Sequence, residues 1–454
     1  MTSPSYVATA AQERSSCSRL LAALFAEMNA RAIPYCVVGS NRHALHMVPD
    51  NDVDIICAAD AIDGVNGLIS VLAARNGLKL AQILQHENGG FYNVLWSHDA
   101  RTERCVRLDI CTDVLRRGRL FLTADWLLEG RRALIRNDLI VSIAAPDREF
   151  AYYLLKKIDK GHADELALGH LAAQFAADPA ACRAILRRYW PSEAASRLER
   201  TILSRSEAAF AASLTGWRRA LNSTLPRRSV RVWSTKWRRR VKRAIQPTGL
   251  VTAILGPDGS GKSTLLSNVP ERCTPAEWSI AYFHLIPPVT AKEGRDLPVT
   301  DPHARPTRNT FLSTLKLIYL VCRNNIGWMR SVFWPYRRST MIYFDRYYHD
   351  MLVDAKRYRM GAPVWLVRFF GSFVPTPDLF LVLDVRPEVA RKRKMEVSEE
   401  ESQRQFHAYR ALVKELPCAV LIDANGTPDA VAAQCEKAIV ETMARRLKGR
   451  KAAV

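Results

Sequence analysis

A glycine-rich segment near the middle of the 454-residue chain has the spacing of a phosphate-binding loop. It runs Gly256-Pro-Asp-Gly-Ser-Gly-Lys-Ser-Thr264 and fits GxxxxGK[ST], between an apolar strand-like run, Leu250–Leu255, and the start of a helical pattern. Glycines let successive backbone N–H groups turn inward around phosphate oxygens, and the following helix adds its positive dipole end. The residues that would surround phosphates are Gly256, Gly259, Ser260, Gly261, Lys262, Ser263 and Thr264. The alternative is a glycine-rich turn that binds no ligand.

A carboxylate and several arginines follow this loop in the order that phosphate chemistry would need. Asp345-Arg346 ends the apolar strand-like run Met341–Phe344, and a basic run, Arg391–Lys394, follows another apolar run, Leu379–Leu383. Phosphoryl transfer needs a phosphate cradle, a metal-binding carboxylate and mobile arginines that neutralise developing charge. The three features therefore favour ATP-dependent transfer. The alternatives are a strand-end ion pair for Asp345-Arg346 and a solvated helix face for the basic run.

Three segments together resemble thymidylate kinase and its nucleoside monophosphate kinase relatives. They are GPDGSGKST, Asp345-Arg346-Tyr347 and Pro377–Lys394, and the resemblance covers about residues 250–448. It implies a P-loop domain that uses ATP and Mg²⁺, and dimers are usual in that family. On the nucleotide side, Lys262 and Ser263 would serve ATP and Mg²⁺, and Asn425 would lie in the loop over the ATP base.

The same resemblance assigns the acceptor side of the site. Asp258 would contact a hydroxyl group of the acceptor's sugar, while Asp345 and Arg346 would handle magnesium-bound water and the acceptor phosphate. Arg391 and Arg393 would come from a lid to the transferring phosphoryl group. The residues that read thymine are missing after Tyr347, where the sequence continues YHDMLVDAKRYR. That stretch is similar instead to kinase-like proteins of bacterial surface-polysaccharide gene clusters, and it leaves a nucleoside monophosphate and a sugar-type acceptor both open.

A second group of candidate residues lies near the N-terminus. Gly39-Ser40 follows the strand-like run Tyr35–Val38. The segment Asp52-Val-Asp54-Ile comes next along the chain, and Leu108-Asp109-Ile110 comes later. Residues i and i+2 of a strand share a face, so Asp52 and Asp54 should project together. With Asp109 on a neighbouring strand, the pattern resembles the nucleotidyltransferase superfamily. The resemblance implies two divalent metals on the three carboxylates and a nucleotide phosphate on Gly39 and Ser40.

A helical, alanine-rich segment at residues 147–210 resembles the helical extension of such domains. Lys156 and Lys157 in this segment are interpreted as a solvated helix face, with contact to a triphosphate as the alternative. The N-terminal domain either transfers a nucleotidyl group or keeps the fold only for binding and regulation.

The formal net charge of +21 is concentrated in two segments. Eleven Lys and Arg lie in residues 208–257 and five in residues 444–454, with no Asp or Glu in either segment. Trp217, Trp233 and Trp237 are interspersed in the first of these. Three interpretations stay open: a solvated connector, contact with an anionic membrane surface through residues 217–243, and contact with nucleic acid, which we rank last.

Hydrophobic patterning predicts the fold class. Alternating short strands and helices in residues 1–146 indicate an α+β domain, and parallel α/β alternation follows residue 248. We therefore predict a multidomain α/β protein: a nucleotidyltransferase-like domain (1–146), a helical extension with a basic linker (147–247) and a thymidylate-kinase-like P-loop domain (248–454). The longest apolar runs are too short to span a bilayer, and ten scattered cysteines are typical of a reducing compartment. A cytoplasmic location, with the linker as the candidate contact to the inner membrane, is the expectation.

The expected activity is phosphoryl transfer from ATP to a small acceptor, carried by the C-terminal domain. Two other hypotheses stay open. The N-terminal domain could be the nucleotidyltransferase that the P-loop domain regulates, or both domains could bind nucleotides as a sensing scaffold without turnover. The sequence does not define the acceptor.

Overall fold

The computed structural model describes residues 15–39, 52–87, 89–97, 105–116, 119–136, 139–225, 237, 241, 245–273, 279–289, 306–394 and 398–452. The chain forms two compact units, Met1–Trp237 and Arg238–Val454. The segments predicted as nucleotidyltransferase-like domain and helical extension thus share the first unit. Ser40 and most of the basic linker lie outside the described residues.

The N-terminal unit combines a mixed sheet with eight described helices. Its strands are β1 (Tyr35–Val38), β2 (Val53–Cys57), β3 (Leu78–Glu87), β4 (Gly90–Ser97), β5 (Cys105–Cys111), β6 (Val114–Arg116), β7 (Arg119–Leu122), β8 (Arg132–Arg136) and β9 (Leu139–Ile143). Its helices are α1 (Ser16–Ala30), α2 (Ile62–Arg75), α3 (Ala124–Leu128), α4 (Pro146–Lys160), α5 (Glu165–Ala177), α6 (Pro179–Tyr189), α7 (Ser192–Leu203) and α8 (Glu207–Thr224).

Seven of these strands form one sheet in the order β3-β4-β5-β2-β1-β9-β8, and β6 pairs with β7 separately. Helices α1 and α2 cover one face of the central strands, where Val37 and Ile55 are buried against them. The opposite face buries Cys36 and Ile56 against helices α4 to α8. Because strand side chains alternate between faces, Asp54 lies on this second face, the face that the helical extension covers.

The helical extension has clear local signals for its boundaries. Pro146 begins α4, and Gly161, with φ of 89°, ends it in the left-handed conformation that glycine adopts most readily. Asp164 caps α5 by accepting a hydrogen bond from the Ala167 N–H at 2.9 Å. These caps fix where α4 presents its side chains to the sheet.

The start of the predicted basic contact surface is part of this core. Trp217 is 2% exposed and packs on Phe210, with 5.3 Å between the ring centroids. Arg218 donates to the backbone carbonyl of Ile158 at 2.7 Å, at the end of α4. Trp217 is therefore part of the core and not of an exposed contact surface, while membrane or nucleic-acid contact through the rest of residues 217–243 stays a prediction.

The C-terminal unit is a parallel sheet surrounded by helices, as the alternating pattern predicts. Its strands are β10 (Leu250–Leu255), β11 (Ile280–His284), β12 (Met341–Asp345), β13 (Leu379–Asp384) and β14 (Ala419–Asp423). Its α-helices are α9 (Lys262–Cys273), α10 (Thr310–Gly327), α11 (Phe333–Arg337), α12 (Val364–Gly371), α13 (Pro387–Arg393), α14 (Glu399–Glu415) and α15 (Pro428–Ala452). A π-helix, Trp328–Val332, precedes α11, and a 3₁₀-helix, Tyr348–Leu352, follows β12.

The strand order β11-β12-β10-β13-β14 determines where a ligand can bind. The chain leaves β10 toward β11 on one side and leaves β13 toward β14 on the other. Ligands of open parallel sheets bind at such a switch point, outside the carboxyl ends of the strands. The glycine-rich loop follows β10 directly and therefore lies at this position.

No helix among the described residues is long and apolar enough to cross a membrane.

Candidate functional site

The glycine-rich loop has the backbone conformation that a phosphate cradle requires. Gly256, Gly259 and Gly261 have φ of 154°, 78° and 91°. A Cβ at residue 259 would lie 2.5 Å from the carbonyl oxygen of Ala390 on α13, so the loop passes under that helix at a point where only glycine fits. The loop then enters α9, with the Leu265 N–H bonded to the Gly261 carbonyl at 2.9 Å.

Lys262 is folded back into this loop. Its Nζ donates to the carbonyl oxygens of Gly256 at 2.9 Å and Pro257 at 2.8 Å, and the residue is 8% exposed. Burial, followed by the positive charge of Arg346, lowers the pKa of Lys262 to about 7. A phosphate anion at this position would add negative charge next to the amine and favour its protonated form.

This lowered pKa predicts that ATP binding takes up protons. The bound phosphates should raise the pKa of Lys262, so uptake should approach one proton per ATP at pH values well above 7. The apparent ATP affinity should then fall as pH rises above about 7. Calorimetry in buffers of different ionisation enthalpy measures the uptake. The pKa of Lys316 is also lowered, to about 8 by burial, so a Lys316→Met variant is the control and should keep the uptake. Proton release, or none exchanged, would contradict the assignment.

Asp345 occupies the end of β12, beside the phosphate loop. It pairs in register with Ile254 of β10, so the two strand ends are adjacent. Its Oδ1 is buried and has no hydrogen-bond partner among the described residues. A buried carboxylate oxygen without a partner is costly unless a cation or water meets it. Ser263 and Thr264 lie in the first turn of α9. Their residues are therefore at the same edge of the sheet as Asp345, the edge formed by the carboxyl ends of the strands.

Asp258 joins the loop to two arginines. One carboxylate oxygen of Asp258 accepts from Arg346 and the other from Arg357. Arg346 follows β12 with φ of 67°, a left-handed conformation that a non-glycine residue holds only when its surroundings impose it. Arg357 also pairs with Asp354, at 3.3 Å between Nε and Oδ2. Arg357 is the site residue that the sequence analysis did not assign.

A buried hydrogen-bond network around Asp350 fixes the position of Arg346. Asp350, which is fully buried, accepts from Arg346 Nη1 at 2.6 Å and from the hydroxyl groups of Tyr358 at 2.8 Å and Tyr409 at 2.5 Å. Burial alone would raise the pKa of Asp350, but the Arg346 charge and the two tyrosine hydrogen bonds outweigh it and lower that pKa. Asp350 is therefore an anion at neutral pH, and it fixes the guanidinium group that faces Asp258.

The other predicted residues lie around the loop, with different partners. Arg391 lies next to Ala390 on α13, pairs with Glu399 at 2.7 Å, and has a buried Nε without a hydrogen-bond partner among the described residues. Arg393 donates to the carbonyl of Ala424 at 3.1 Å. The Asn425 side chain accepts from the Arg386 N–H at 2.8 Å and donates to Asp423 at 2.6 Å, so it holds the loop after β14 together.

The three N-terminal carboxylates share one face of the sheet. Asp54 pairs in register with Asp109 across the parallel strands β2 and β5, and Asp52 precedes Asp54 by two residues. Each has its own partners. Asp52 accepts from Tyr92 at 2.9 Å and pairs with Arg107 at 3.0 Å. Asp54 pairs with Lys156, and Asp109 pairs with His86 at 2.7 Å.

Lys156 of α4 pairs with Asp54, so its interpretation as a solvated helix side chain is wrong. Burial raises the pKa of Asp54, although the Lys156 charge acts in the opposite direction. For Asp109, the hydrogen bond and charge of His86 and a bond from Cys111 outweigh burial, so the pKa is lowered. The helical extension thus supplies a cation to the carboxylate face.

Gly39 directly follows β1 and lies beside this face. Its N–H donates to both carboxylate oxygens of Glu149 at 3.0 Å, and Glu149 also pairs with His170 at 2.8 Å. Gly39 has φ of 80°, and a Cβ there would lie 2.5 Å from Asp54 Oδ2. Ser40, the predicted phosphate contact, lies outside the described residues, while the N–H of Gly39 is used by a buried carboxylate.

Gly39→Ala should destabilise the N-terminal unit by about 1–3 kcal/mol, because alanine is strained at positive φ and its methyl group would displace Asp54. Urea unfolding of the purified chain measures the change. Gly67→Ala on α2 is the matched control, since a Cβ there meets nothing within 4 Å and should be neutral or stabilising. Equal effects at both positions would contradict the close approach of Gly39 and Asp54.

Comparison with known proteins finds a likeness among solved structures but not among sequences. No family model and no curated protein sequence matches the chain. Among solved structures, a thymidylate kinase from Candida albicans matches with 19% identity and a TM-score of 0.31, over 43% of this chain and 92% of that chain. A likeness of this size does not bear on the chemistry of the present site.

Proposed function

We propose that the C-terminal unit transfers the γ-phosphoryl group of ATP to a small acceptor. One observation carries the proposal: the phosphate loop and the Asp345-Arg346 pair end neighbouring parallel strands, in register at Ile254 and Asp345. A phosphate cradle, a carboxylate and a buried arginine thus converge on one edge of the sheet. Phosphoryl transfer depends mainly on positioning and charge neutralisation, which these groups can supply.

On the nucleotide side, the loop N–H groups and the N-terminus of α9 would surround the β- and γ-phosphates. Lys262 would leave the carbonyl oxygens of Gly256 and Pro257 and turn to the phosphates. Arg391 would neutralise charge on the transferring group, since it lies on α13, the helix that crosses the loop at Gly259. Its distance from the phosphates depends on closure of α13, a movement usual for lid segments.

The unpartnered oxygen of Asp345 fits a hydrated divalent cation. Ser263 and Asp345 would hold it, because hydroxyl and carboxylate oxygens are ligands that Mg²⁺ prefers. When bound, Mg²⁺ would neutralise charge on the β- and γ-phosphates.

The acceptor side combines one carboxylate with two guanidinium groups. Asp258 can accept a hydrogen bond from an acceptor hydroxyl, while Arg346 and Arg357 can bind an anionic group of the same molecule. An acceptor with both a hydroxyl and a phosphate or carboxylate group fits this arrangement. A nucleoside monophosphate and a sugar phosphate both meet that description.

The test is a screen of small metabolites with γ-labelled ATP and Mg²⁺. We expect label transfer to an acceptor with a hydroxyl group next to an anionic group. Arg357→Ala should raise the KM for that acceptor more than the KM for ATP, because Arg357 is assigned to the acceptor side through its ion pair with Asp258. If no acceptor is labelled while ATP still binds, the chain is a nucleotide-binding scaffold and the proposal fails.

A second candidate function resides in the N-terminal unit. Asp52, Asp54 and Asp109 share one face, as metal-dependent nucleotidyl transfer requires. We infer that the Lys156 ammonium group neutralises the charge of the Asp54 carboxylate when no metal cation is bound. Pyrophosphate release from nucleoside triphosphates measures this activity. The double variant Asp52→Asn with Asp54→Asn should abolish the release, and an unchanged rate would exclude this function.

A further inference from the structure

Three side chains of different chemistry meet on the N-terminal sheet, beside the carboxylate face. His86 lies on β3, and Asp109 and Cys111 lie two residues apart on β5. His86 Nε2 is 2.7 Å from Asp109 Oδ1, Cys111 Sγ is 3.2 Å from the same oxygen, and the nitrogen and sulfur are 3.8 Å apart. Of these three residues, only Asp109 was predicted from the sequence as a site residue.

A glycine in β4, the strand between β3 and β5, leaves room for the contact of His86 with Asp109 and Cys111. β4 separates β3 from β5 in the sheet, and its first residue, Gly90, pairs in register with Glu87 on one side and Cys111 on the other. A Cβ at residue 90 would lie 2.8 Å from His86 Cε1 and 3.4 Å from Cys111 Sγ. Because Gly90 has no side chain, the imidazole can cross β4 to reach β5.

We propose that His86, Asp109 and Cys111 form a binding site for a zinc-type divalent cation. Imidazole nitrogen, carboxylate oxygen and thiolate sulfur are the three ligand types that zinc takes in proteins. Mg²⁺ would not be expected to use a thiolate or an imidazole, so this donor set differs from that of an all-carboxylate magnesium site.

The distances between the donor atoms are close to those of a tetrahedral zinc site. Zn–N and Zn–O bonds of about 2.0 Å and a Zn–S bond of about 2.3 Å place the donors roughly 3.3–3.6 Å apart. The observed separations of 2.7, 3.2 and 3.8 Å differ from these by less than about 0.7 Å. Small side-chain rotations would therefore complete the site.

The site would have three protein ligands and an accessible fourth position. His86 is 29% exposed and Asp109 is 18% exposed at the side chain, so water can reach the cluster. A zinc ion with three protein ligands and one open position binds water or a substrate oxygen there. Since Asp54 lies directly opposite Asp109, a substrate on the carboxylate face would be next to this position.

Binding requires a balanced exchange of protons. The Cys111 thiol donates to Asp109 in the metal-free chain, and it must lose its proton to solvent to bind as thiolate. His86 would bind through Nε2, so the proton that Nε2 shares with Asp109 in the metal-free chain leaves to solvent or moves to Nδ1, and the bound ring is neutral with its proton on Nδ1. The cation then replaces the hydrogen bonds of both groups to Asp109 Oδ1.

The test uses the full-length chain without an affinity tag, after removal of metals with a chelator and without ATP. Zn²⁺ affinity is measured by competition with a chromophoric indicator, and Co²⁺ serves as the spectroscopic probe. We expect one Zn²⁺ per chain and a thiolate-to-cobalt charge-transfer band. His86→Ala and Cys111→Ser should each lower the affinity about 100-fold or more, because loss of even an outer partner of a metal site costs about 10–100-fold.

Cys105→Ser is the matched control, since Cys105 begins the same strand β5 six residues before Cys111. It should keep the affinity and the charge-transfer band. Unfolding curves of the metal-free variants show whether a variant has lost its fold. The cobalt spectrum is recorded on the unaltered chain, so it tests the thiolate ligand even if a variant fails to fold. Absence of the charge-transfer band, or unchanged affinity in both ligand variants, would overturn the proposal. Neither result depends on phosphoryl transfer, so the proposed function is tested separately.

Discussion

Asp350→Ala is expected to destabilise the C-terminal unit by about 3–5 kcal/mol, the usual cost of removing one partner of a buried ion pair. The fully buried carboxylate accepts from Arg346, Tyr358 and Tyr409. Its removal takes a buried carboxylate partner from Arg346, which keeps its pair with Asp258, and removes the acceptor of both tyrosine hydroxyl groups. Denaturant unfolding followed by a signal from the C-terminal unit measures the loss.

Two further variants separate the charge from the hydrogen bonds. Tyr409→Phe removes one hydrogen bond to the charged group and should cost about 1.5–3 kcal/mol. Asp429→Ala is the exposed control, since Asp429 is 83% exposed in its ion pair with Arg272 and should contribute less than about 1 kcal/mol. If Asp350→Ala cost no more than Asp429→Ala, Arg346 would not depend on this network.

Lys262→Ala should lower kcat for phosphoryl transfer by about 100- to 1,000-fold, as expected for loss of one preorganised donor to a developing charge. Lys262 is buried in the phosphate loop, where its Nζ donates to the carbonyl oxygens of Gly256 and Pro257. Among the described residues, no other lysine donates to these two carbonyl oxygens. Steady-state rates at saturating ATP and acceptor measure the change.

The control for this variant is Lys437→Ala, which removes an exposed lysine from α15 of the same unit. It should leave the rate unchanged. Equal rates for the unaltered chain and Lys262→Ala would mean that the loop does not take part in the chemical step.

Apolar periodicity was sufficient to predict the strands that build the C-terminal site. β10 occupies Leu250–Leu255 as expected, and β12 and β13 extend the predicted strands by one residue, to Asp345 and Asp384. These strands are largely apolar and are buried except at the aspartates that end β12 and β13, the pattern of a parallel sheet covered on both faces. The Asp345-Arg346 pair could therefore be placed from the strand end alone.

Two of the edge strands, β8 and β11, were not predicted. β11 alternates between exposed and half-buried residues and carries Tyr282 at 51% exposure, so its sequence lacks the buried run of the central strands. β8 begins with an exposed arginine, Arg132, and contains an exposed isoleucine, Ile135. Edge positions bury less, and their hydrophobic pattern is correspondingly weaker.

Contacts between residues far apart in the sequence could not be predicted from the hydrophobic pattern either. Arg357 reaches Asp258 across 99 residues, and Lys156 reaches Asp54 across 102. A lysine on a helix has the same local sequence whether it faces solvent or a carboxylate, because only the packing of α4 on the sheet decides this. His86 and Cys111 likewise meet through the gap at Gly90, which local periodicity does not encode.

The central claim is that the phosphate loop of the C-terminal unit carries the chemistry. The most direct measurement is transfer of label from γ-labelled ATP to the acceptor by two variants side by side: Lys262→Ala, and Asp52→Asn with Asp54→Asn. We predict that transfer is lost in the first variant and retained in the second. Retention in Lys262→Ala, with loss in the double variant, would contradict the account and assign the reaction to the N-terminal carboxylates.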